Sequence, residues 1–213
     1  MIYKVICCVG DSVANGYWDK RGLGWFGRLQ EAVAAKYPFK FGFNNLAQSG
    51  DRTVDTYYRL CSDALARHPD ILIIAVGKND LIRWGAPDAP TDQSPQATAE
   101  YWERLLEVAR VSVPKVLVLG LLPAVEARCP TTGWDGQTPA WKFNADRTAL
   151  DSQIAQWCQA AGVEYLPMFD VFGTGDISGF YYDSAHPNDQ GHALMCARVF
   201  EKLEALGWVG SGA

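Results

Sequence analysis

The chain has 213 residues, 48% hydrophobic and 20% charged, with a formal net charge of −5 and a sequence pI of about 5.2. That length suits one domain over residues 1–213 with a sizeable core. The acidic balance gives no positive field for a phosphate backbone, which argues against nucleic acid as a partner. No apolar run approaches the ~20 residues of a membrane span, and Lys4 interrupts the apolar start, so neither a span nor a secretory leader is read and a cytoplasmic location is expected.

The run Ile2 to Val9 is rich in β-branched residues and reads as a buried first strand; Gly10 breaks it, and Asp11 and Ser12 follow at once. In an open α/β sheet, ligands bind beyond the carboxyl ends of central strands, the position Ser12 would take. A serine there is also an ordinary helix cap or turn residue. Residues 21–37 carry Trp25, Phe26, Leu29, Val33 and Ala34 at helical spacing before Pro38. Gly22-Leu-Gly-Trp-Phe-Gly27 within it matches the dinucleotide fingerprint GxGxxG. About a dozen residues separate it from the first strand, whereas the fingerprint must follow a strand directly, so nucleotide binding is set aside.

Residues 39–46 read as a second strand ending in the turn-rich Ala47-Gln48-Ser49-Gly50-Asp51, and 54–66 as a helix. Ile71 to Val76 is almost wholly apolar, as a strand buried on both faces should be, and runs into Gly77-Lys-Asn79-Asp80. Residues 83–97 hold Gly85, Pro87, Pro90 and Pro95 and read as a loop, with a helix over 96–111 and a fourth strand over 115–121. The stretch 123–139, with Gly133, Trp134 and Gly136, is too irregular for an element and long for a connection, which makes it a candidate binding loop. A helix over 143–161, a short strand over 163–168, a glycine-rich loop over 169–183 and a last helix over 188–206 complete the pattern. Alternating strands and helices predict a three-layer α/β/α fold around a five-stranded parallel sheet, with flavodoxin-like order.

Six cysteines, at 7, 8, 61, 129, 158 and 196, lack metal-ligand spacing and are expected to be buried free thiols, with Cys7 and Cys8 on opposite faces of their strand. The three histidines form no HExxH cluster, so neither a metal nor a cofactor is expected.

Polar residues therefore gather after the first three strands, on one sheet edge, and a fourth group, Tyr181-Tyr-Asp183-Ser-Ala-His186-Pro187, precedes the last helix. An Asp and a His at i and i+3 in a loop can reach that edge together, the Asp holding one imidazole nitrogen while the other faces Ser12. Alone, DxxHP is also a plausible helix start. Three residues of chain span at most about 10–11 Å, so Asp183 reaches the imidazole only if the loop turns; Asp170, after the fifth strand, is the competing carboxylate.

Taken together, Gly10-Asp11-Ser12-Val13, Gly50 within Asn45-Leu-Ala-Gln-Ser-Gly50, Gly77-Lys-Asn79-Asp80 and Asp183-Ser-Ala-His186 resemble the four motif blocks of the SGNH, or GDSL, hydrolase superfamily, in order and over most of the chain. The resemblance implies a serine ester hydrolase with Ser12 as nucleophile, His186 as general base and Asp183 orienting it. It also implies an oxyanion hole from the Ser12 and Gly50 backbone N–H groups and the Asn79 amide. Val13 replaces the usual leucine, a conservative change, and the elbow GxSxG of the other serine-hydrolase fold is absent. Asp11 reads as a turn-stabilising acceptor, His192 as a packing residue and Ser49 as turn chemistry. Trp84, Trp134, Trp141 and Phe143 either line an acyl or aryl pocket or cover the sheet edge as core. The expected substrate is a small-molecule ester with a small or medium acyl group. Thioester hydrolysis, carbohydrate deacetylation and acyl transfer share the same chemistry, and a non-catalytic ligand-binding module is the rival of a different class.

Overall fold

The computed structural model describes residues 3–133 and 135–210. In chain order it contains β1 (Lys4–Gly10), the four-residue α1 (Ser12–Asn15), α2 (Gly24–Lys36), β2 (Phe41–Asn45), α3 (Thr53–Arg59), β3 (Ile71–Ala75), β4 (Arg83–Trp84), α4 (Pro95–Ser112), β5 (Lys115–Leu119), β6 (Thr131–Thr132), β7 (Pro139–Trp141), α5 (Asn144–Ala161), β8 (Glu164–Leu166) and α6 (Asp189–Ala205).

Five strands form a parallel sheet in the order β2-β1-β3-β5-β8. The order reverses at β1, with β2 on one side and β3 on the other. The carboxyl end of β1 is thus the switch point at which open α/β sheets hold ligands, and Ser12 follows it by two residues.

The alternation of strand side chains divides the core into two layers. Ile71, Ile73, Leu117 and Leu119 join α2 and α6 residues such as Phe26, Leu29 and Val199 on one face. Leu72, Ile74, Val116 and Val118 join α4 and α5 residues such as Trp102, Leu105 and Ile154 on the other. Cys8 enters the first layer and Cys7 the second, as neighbours in a strand must. The cysteines are free, but Cys61 is exposed and Cys129 only half-buried, a correction to the expectation of six buried thiols. Both lie outside the sheet and the helix faces turned towards it.

Helix ends follow local chemistry. The Ser94 hydroxyl accepts from the Ala97 N–H at 3.3 Å with Pro95 behind it in the first turn, which starts α4. Asn188 caps α6 by accepting from the N–H groups of Gln190 and Gly191 at 3.0 and 3.1 Å. The cap of the last helix is therefore Asn188, leaving the Asp183 and His186 side chains free for other partners.

Two segments differ from expectation. The helix over 54–66 stops being α at Arg59, continuing as a π turn (Leu60–Ala64) and a 3₁₀ turn (Leu65–Arg67). The irregular stretches around 83 and 131–141 contain the short strands β4, β6 and β7, which pair as a small antiparallel sheet in the order β4-β7-β6 above the main sheet's functional edge. Strands of two or three residues show no readable period. No helix among the described residues is long and apolar enough to cross a membrane.

Candidate active site

Ser12 follows β1 because Gly10 lets the backbone close on the neighbouring strand. A Cβ at Gly10 would lie 2.2 Å from the Ala75 carbonyl oxygen, so no larger residue fits there. Asp11 then accepts from the Val13 N–H through Oδ1 at 2.9 Å and caps the short α1, fixing Ser12 at its first position. This is the turn-stabilising role read for Asp11.

His186 approaches from the loop before α6. Its Nε2 is 2.8 Å from Ser12 Oγ and its Nδ1 is 2.7 Å from Asp183 Oδ2. Because a carboxylate accepts, Nδ1 carries the hydrogen, and Nε2 presents a lone pair to the Ser12 hydroxyl. The turn that Asp183 requires is made by Asp183 itself. Its Oδ1 accepts from the backbone N–H groups of Ala185 and His186 at 2.7 and 2.8 Å, and the Tyr182 N–H donates to the His186 carbonyl at 2.9 Å. Arg128 braces this loop from behind, donating to the carbonyls of Ser178, Tyr181 and Asp183. Asp170 stands elsewhere, on the surface, its side chain 70% exposed and paired with Arg198.

Burial opposes the charge on Asp183. The hydrogen bond and charge of His186, with the two backbone N–H groups, outweigh it and hold the carboxyl well below the usual carboxylate range. Burial pushes His186 below its ordinary value, with the nearby Lys78 charge acting in the same direction and Asp183 opposing. Neutral imidazole facing a hydroxyl, with an ionised carboxylate behind it, is a base ready to take the serine proton.

The turn after β2 brings Gly50 to the same edge. The Gln48 N–H donates to the Gly10 carbonyl at 2.9 Å, and Gly50 adopts φ +93°, a conformation L side chains resist. Asn79, after β3, donates from Nδ2 to the Asp51 carbonyl at 2.9 Å, leaving the second amide hydrogen available. Asp80 is fully buried and accepts from the Thr53 N–H at 3.0 Å, which ties the end of the Gly50 turn to β3. Burial raises the Asp80 carboxyl to about 6 in spite of that bond.

These groups open onto a cavity of about 230 Å³. Ser12, Gly50, Asn79, Asp183 and His186 line it together, so every residue singled out in the four motif blocks by the resemblance converges there. Tyr17 and Trp18 form one wall, with the Tyr17 ring 5.5 Å from the His186 ring. Thr131, Thr132 and Gly133, from the stretch read as a candidate binding loop, form part of another, and Trp84 joins them. Trp141 and Phe143 are not among the lining residues; both are half-buried, and their rings stack at 6.3 Å between centroids. Trp134 lies outside the described residues.

His192 is fully buried, accepting from the Trp25 N–H at 3.2 Å and donating to the Tyr17 carbonyl at 3.0 Å. It is a packing residue that positions the Tyr17 wall.

The lining residues that were not singled out from sequence include the aromatic pair Tyr17 and Trp18 and three cations, Lys78, Lys142 and Arg147. The buried Lys78 ammonium donates to Ser12 Oγ at 3.0 Å and stands 3.4 Å from Asp11 Oδ1. Burial lowers its pKa, Asp11 opposing. Lys78 lies inside the third motif block, but the spacing of that block does not say which way its side chain turns.

The chain resembles known proteins along almost its whole length. An acetylxylan esterase of Geobacillus stearothermophilus is 25% identical over 219 residues, covering 95% of this chain and 94% of the relative. The crystal structure of an acetylxylan esterase from the same organism superposes with a TM-score of 0.76 at 17% identity, covering 99% of this chain and 98% of that one. A lipase/acylhydrolase from Enterococcus faecalis superposes with a TM-score of 0.74 at 18% identity, covering 95% and 96%. The GDSL-like lipase/acylhydrolase family matches residues 8–194, and the chain belongs to that family as a carboxylic ester hydrolase.

Proposed function

We propose that the protein hydrolyses small carboxylic esters through an acyl-enzyme on Ser12. The observation that carries this reading is the continuous chain Ser12 Oγ, His186 and Asp183, with contacts of 2.8 and 2.7 Å. His186 Nε2 takes the Ser12 proton as Oγ bonds to the ester carbonyl carbon. The resulting oxyanion is held by the Ser12 and Gly50 N–H groups and the second hydrogen of the Asn79 amide. Collapse breaks the carbon–oxygen bond of the ester, and His186 returns the proton to the departing alcohol. Water then repeats the sequence, releasing the acid and restoring the Ser12 hydroxyl. Asp183 keeps its charge throughout and stabilises the imidazolium.

The cavity volume favours a small acyl group, since about 230 Å³ lies below the ~300–1,000 Å³ typical of drug-sized ligand sites. Hydrolysis of p-nitrophenyl esters from acetate to decanoate tests this: kcat/KM is expected to peak at the short end. Its acidic limb is expected below about pH 6.5, because a lowered His186 pKa keeps the base neutral to lower pH. A maximum at decanoate, or no turnover of any ester, contradicts the reading.

Asn79→Ala is expected to reduce kcat by about 10²–10³ with little change in KM, because an oxyanion donor acts mainly on the transition state. A rise in KM alone would make Asn79 a ground-state binding residue.

A second reading, removal of acetyl groups from a carbohydrate, draws on the rim. Trp18 and Tyr182 stack at 4.0 Å beside the cavity and are 43% and 59% exposed, giving a flat aromatic surface of the kind a sugar ring can lie on. It also draws on the relatives named as acetylxylan esterases.

A further inference from the structure

Three cationic side chains, Lys78, Lys142 and Arg147, line one small cavity. Lys78 has local partners, standing 3.4 Å from Asp11 Oδ1 and bonded to Ser12 Oγ. The other two do not have such compensation. Arg147, in the first turn of α5, is 1% exposed and donates from Nη1 to the Leu122 carbonyl at 2.6 Å; no carboxylate among the described residues lies within ion-pairing distance of it. Lys142, half-buried, donates to the hydroxyls of Thr131 and Ser184, the latter at 3.1 Å, and likewise has no carboxylate partner at that range among the described residues. The carboxylate that lines the cavity, Asp183, is bonded to His186.

A buried charge that meets only neutral partners, as Arg147 does, is strongly disfavoured, and proteins normally compensate it with a counter-charge; the half-buried Lys142 adds a second cation beside the same cavity. Arg147 in α5 and Lys142, which follows β7, both line the cavity onto which Ser12 opens. We infer that the missing counter-charge is part of the substrate. On this reading, the hydrolase acts on an ester that carries a carboxylate, held by Lys142 and Arg147 while its ester carbonyl meets Ser12. The guanidinium offers a planar fork and the ammonium a point charge, a pair suited to a carboxylate. The inference rests on the ester-hydrolase reading of the same site and names its substrate class.

Two matched ester pairs show which side of the ester carries the charge. The p-nitrophenyl monoester of adipic acid against p-nitrophenyl hexanoate places it on the acyl side. Then 4-acetoxybenzoate against 4-acetoxybenzamide places it on the alcohol side. In at least one pair, kcat/KM is expected to favour the anionic ester by at least about tenfold, the size of a charge-assisted hydrogen bond. Lys142→Met, checked for folding by circular dichroism, is expected to lower that anionic-to-neutral ratio by about the same factor. Preference for the neutral ester in both pairs, or an unchanged ratio in folded Lys142→Met, overturns the inference.

Titration calorimetry on Ser12→Ala reads binding without turnover. The anionic member of the preferred pair is expected to bind at least about tenfold more tightly than the neutral one. Equal binding overturns the anion site even if both esters are hydrolysed. Tighter anionic binding in a protein that hydrolyses neither ester supports the anion site and contradicts the hydrolase mechanism instead.

Discussion

Ser12→Ala is expected to fold and to lose at least about 10⁴-fold in kcat/KM for a short activated ester, the scale seen when a nucleophile is removed from a cooperating triad. Folding is expected to survive because the cap of α1 is the Asp11 carboxylate accepting from Val13, and the Ser12 hydroxyl has no part in it. The substitution removes the atom that joins His186 Nε2 at 2.8 Å to Lys78 Nζ at 3.0 Å. Water held by the same imidazole and the same oxyanion donors would leave a residual rate, since those groups remain in place. Steady-state hydrolysis of p-nitrophenyl acetate with circular dichroism as control measures this. Turnover within a few-fold of the parent protein would exclude Ser12 as nucleophile.

The second large effect concerns the carboxylate behind His186. Asp183→Asn is expected to lower kcat by on the order of 10³–10⁴, because the amide reverses a donor–acceptor contact and forfeits the charge that stabilises imidazolium. The Asp183 contact with Nδ1 is 2.7 Å, and its other oxygen holds the turn through Ala185 and His186. Asn retains an oxygen for those backbone donors, so loop geometry is expected to survive better than in Asp183→Ala. Asp170→Asn is expected to stay within a few-fold of the parent, as its carboxylate is exposed and engaged with Arg198. The same ester assay on both variants decides between them, and the reverse pattern would reassign the acid.

Much of this was legible in the chain because the relevant groups are tied to strand ends. Ser12, Gly50 and Asn79 each follow a segment read as a strand that becomes a parallel strand, and a parallel sheet carries such positions to one edge whatever the exact register. Strand parity likewise fixed opposite faces for Cys7 and Cys8. The fate of Asp183 was less direct. Local spacing showed that the loop had to turn, and the structure supplies the turn through backbone bonds to Asp183 itself.

What escaped the sequence depends on contacts between distant segments. Lys142 follows β7 and Arg147 lies in the first turn of α5, and nothing local indicates that residues some 130 positions after Ser12 line the same cavity. Trp84 and Trp141 look equivalent as aromatic residues in irregular stretches, yet antiparallel pairing of β4 with β7 sends one to the cavity and the other onto Phe143. The π and 3₁₀ turns after α3 keep roughly the same apolar spacing as an α-helix over a few residues, so periodicity does not distinguish them.

The most direct test of the mechanism is covalent. A fluorophosphonate, which phosphonylates an activated serine, is incubated with the parent protein, and the product is followed by intact-mass measurement and peptide mapping. The mechanism predicts a single adduct on Ser12, lost in Ser12→Ala and formed far more slowly in Asp183→Asn. Continued ester hydrolysis by protein that takes up no adduct, or an adduct mapped to another residue with Ser12 unmodified, would contradict it.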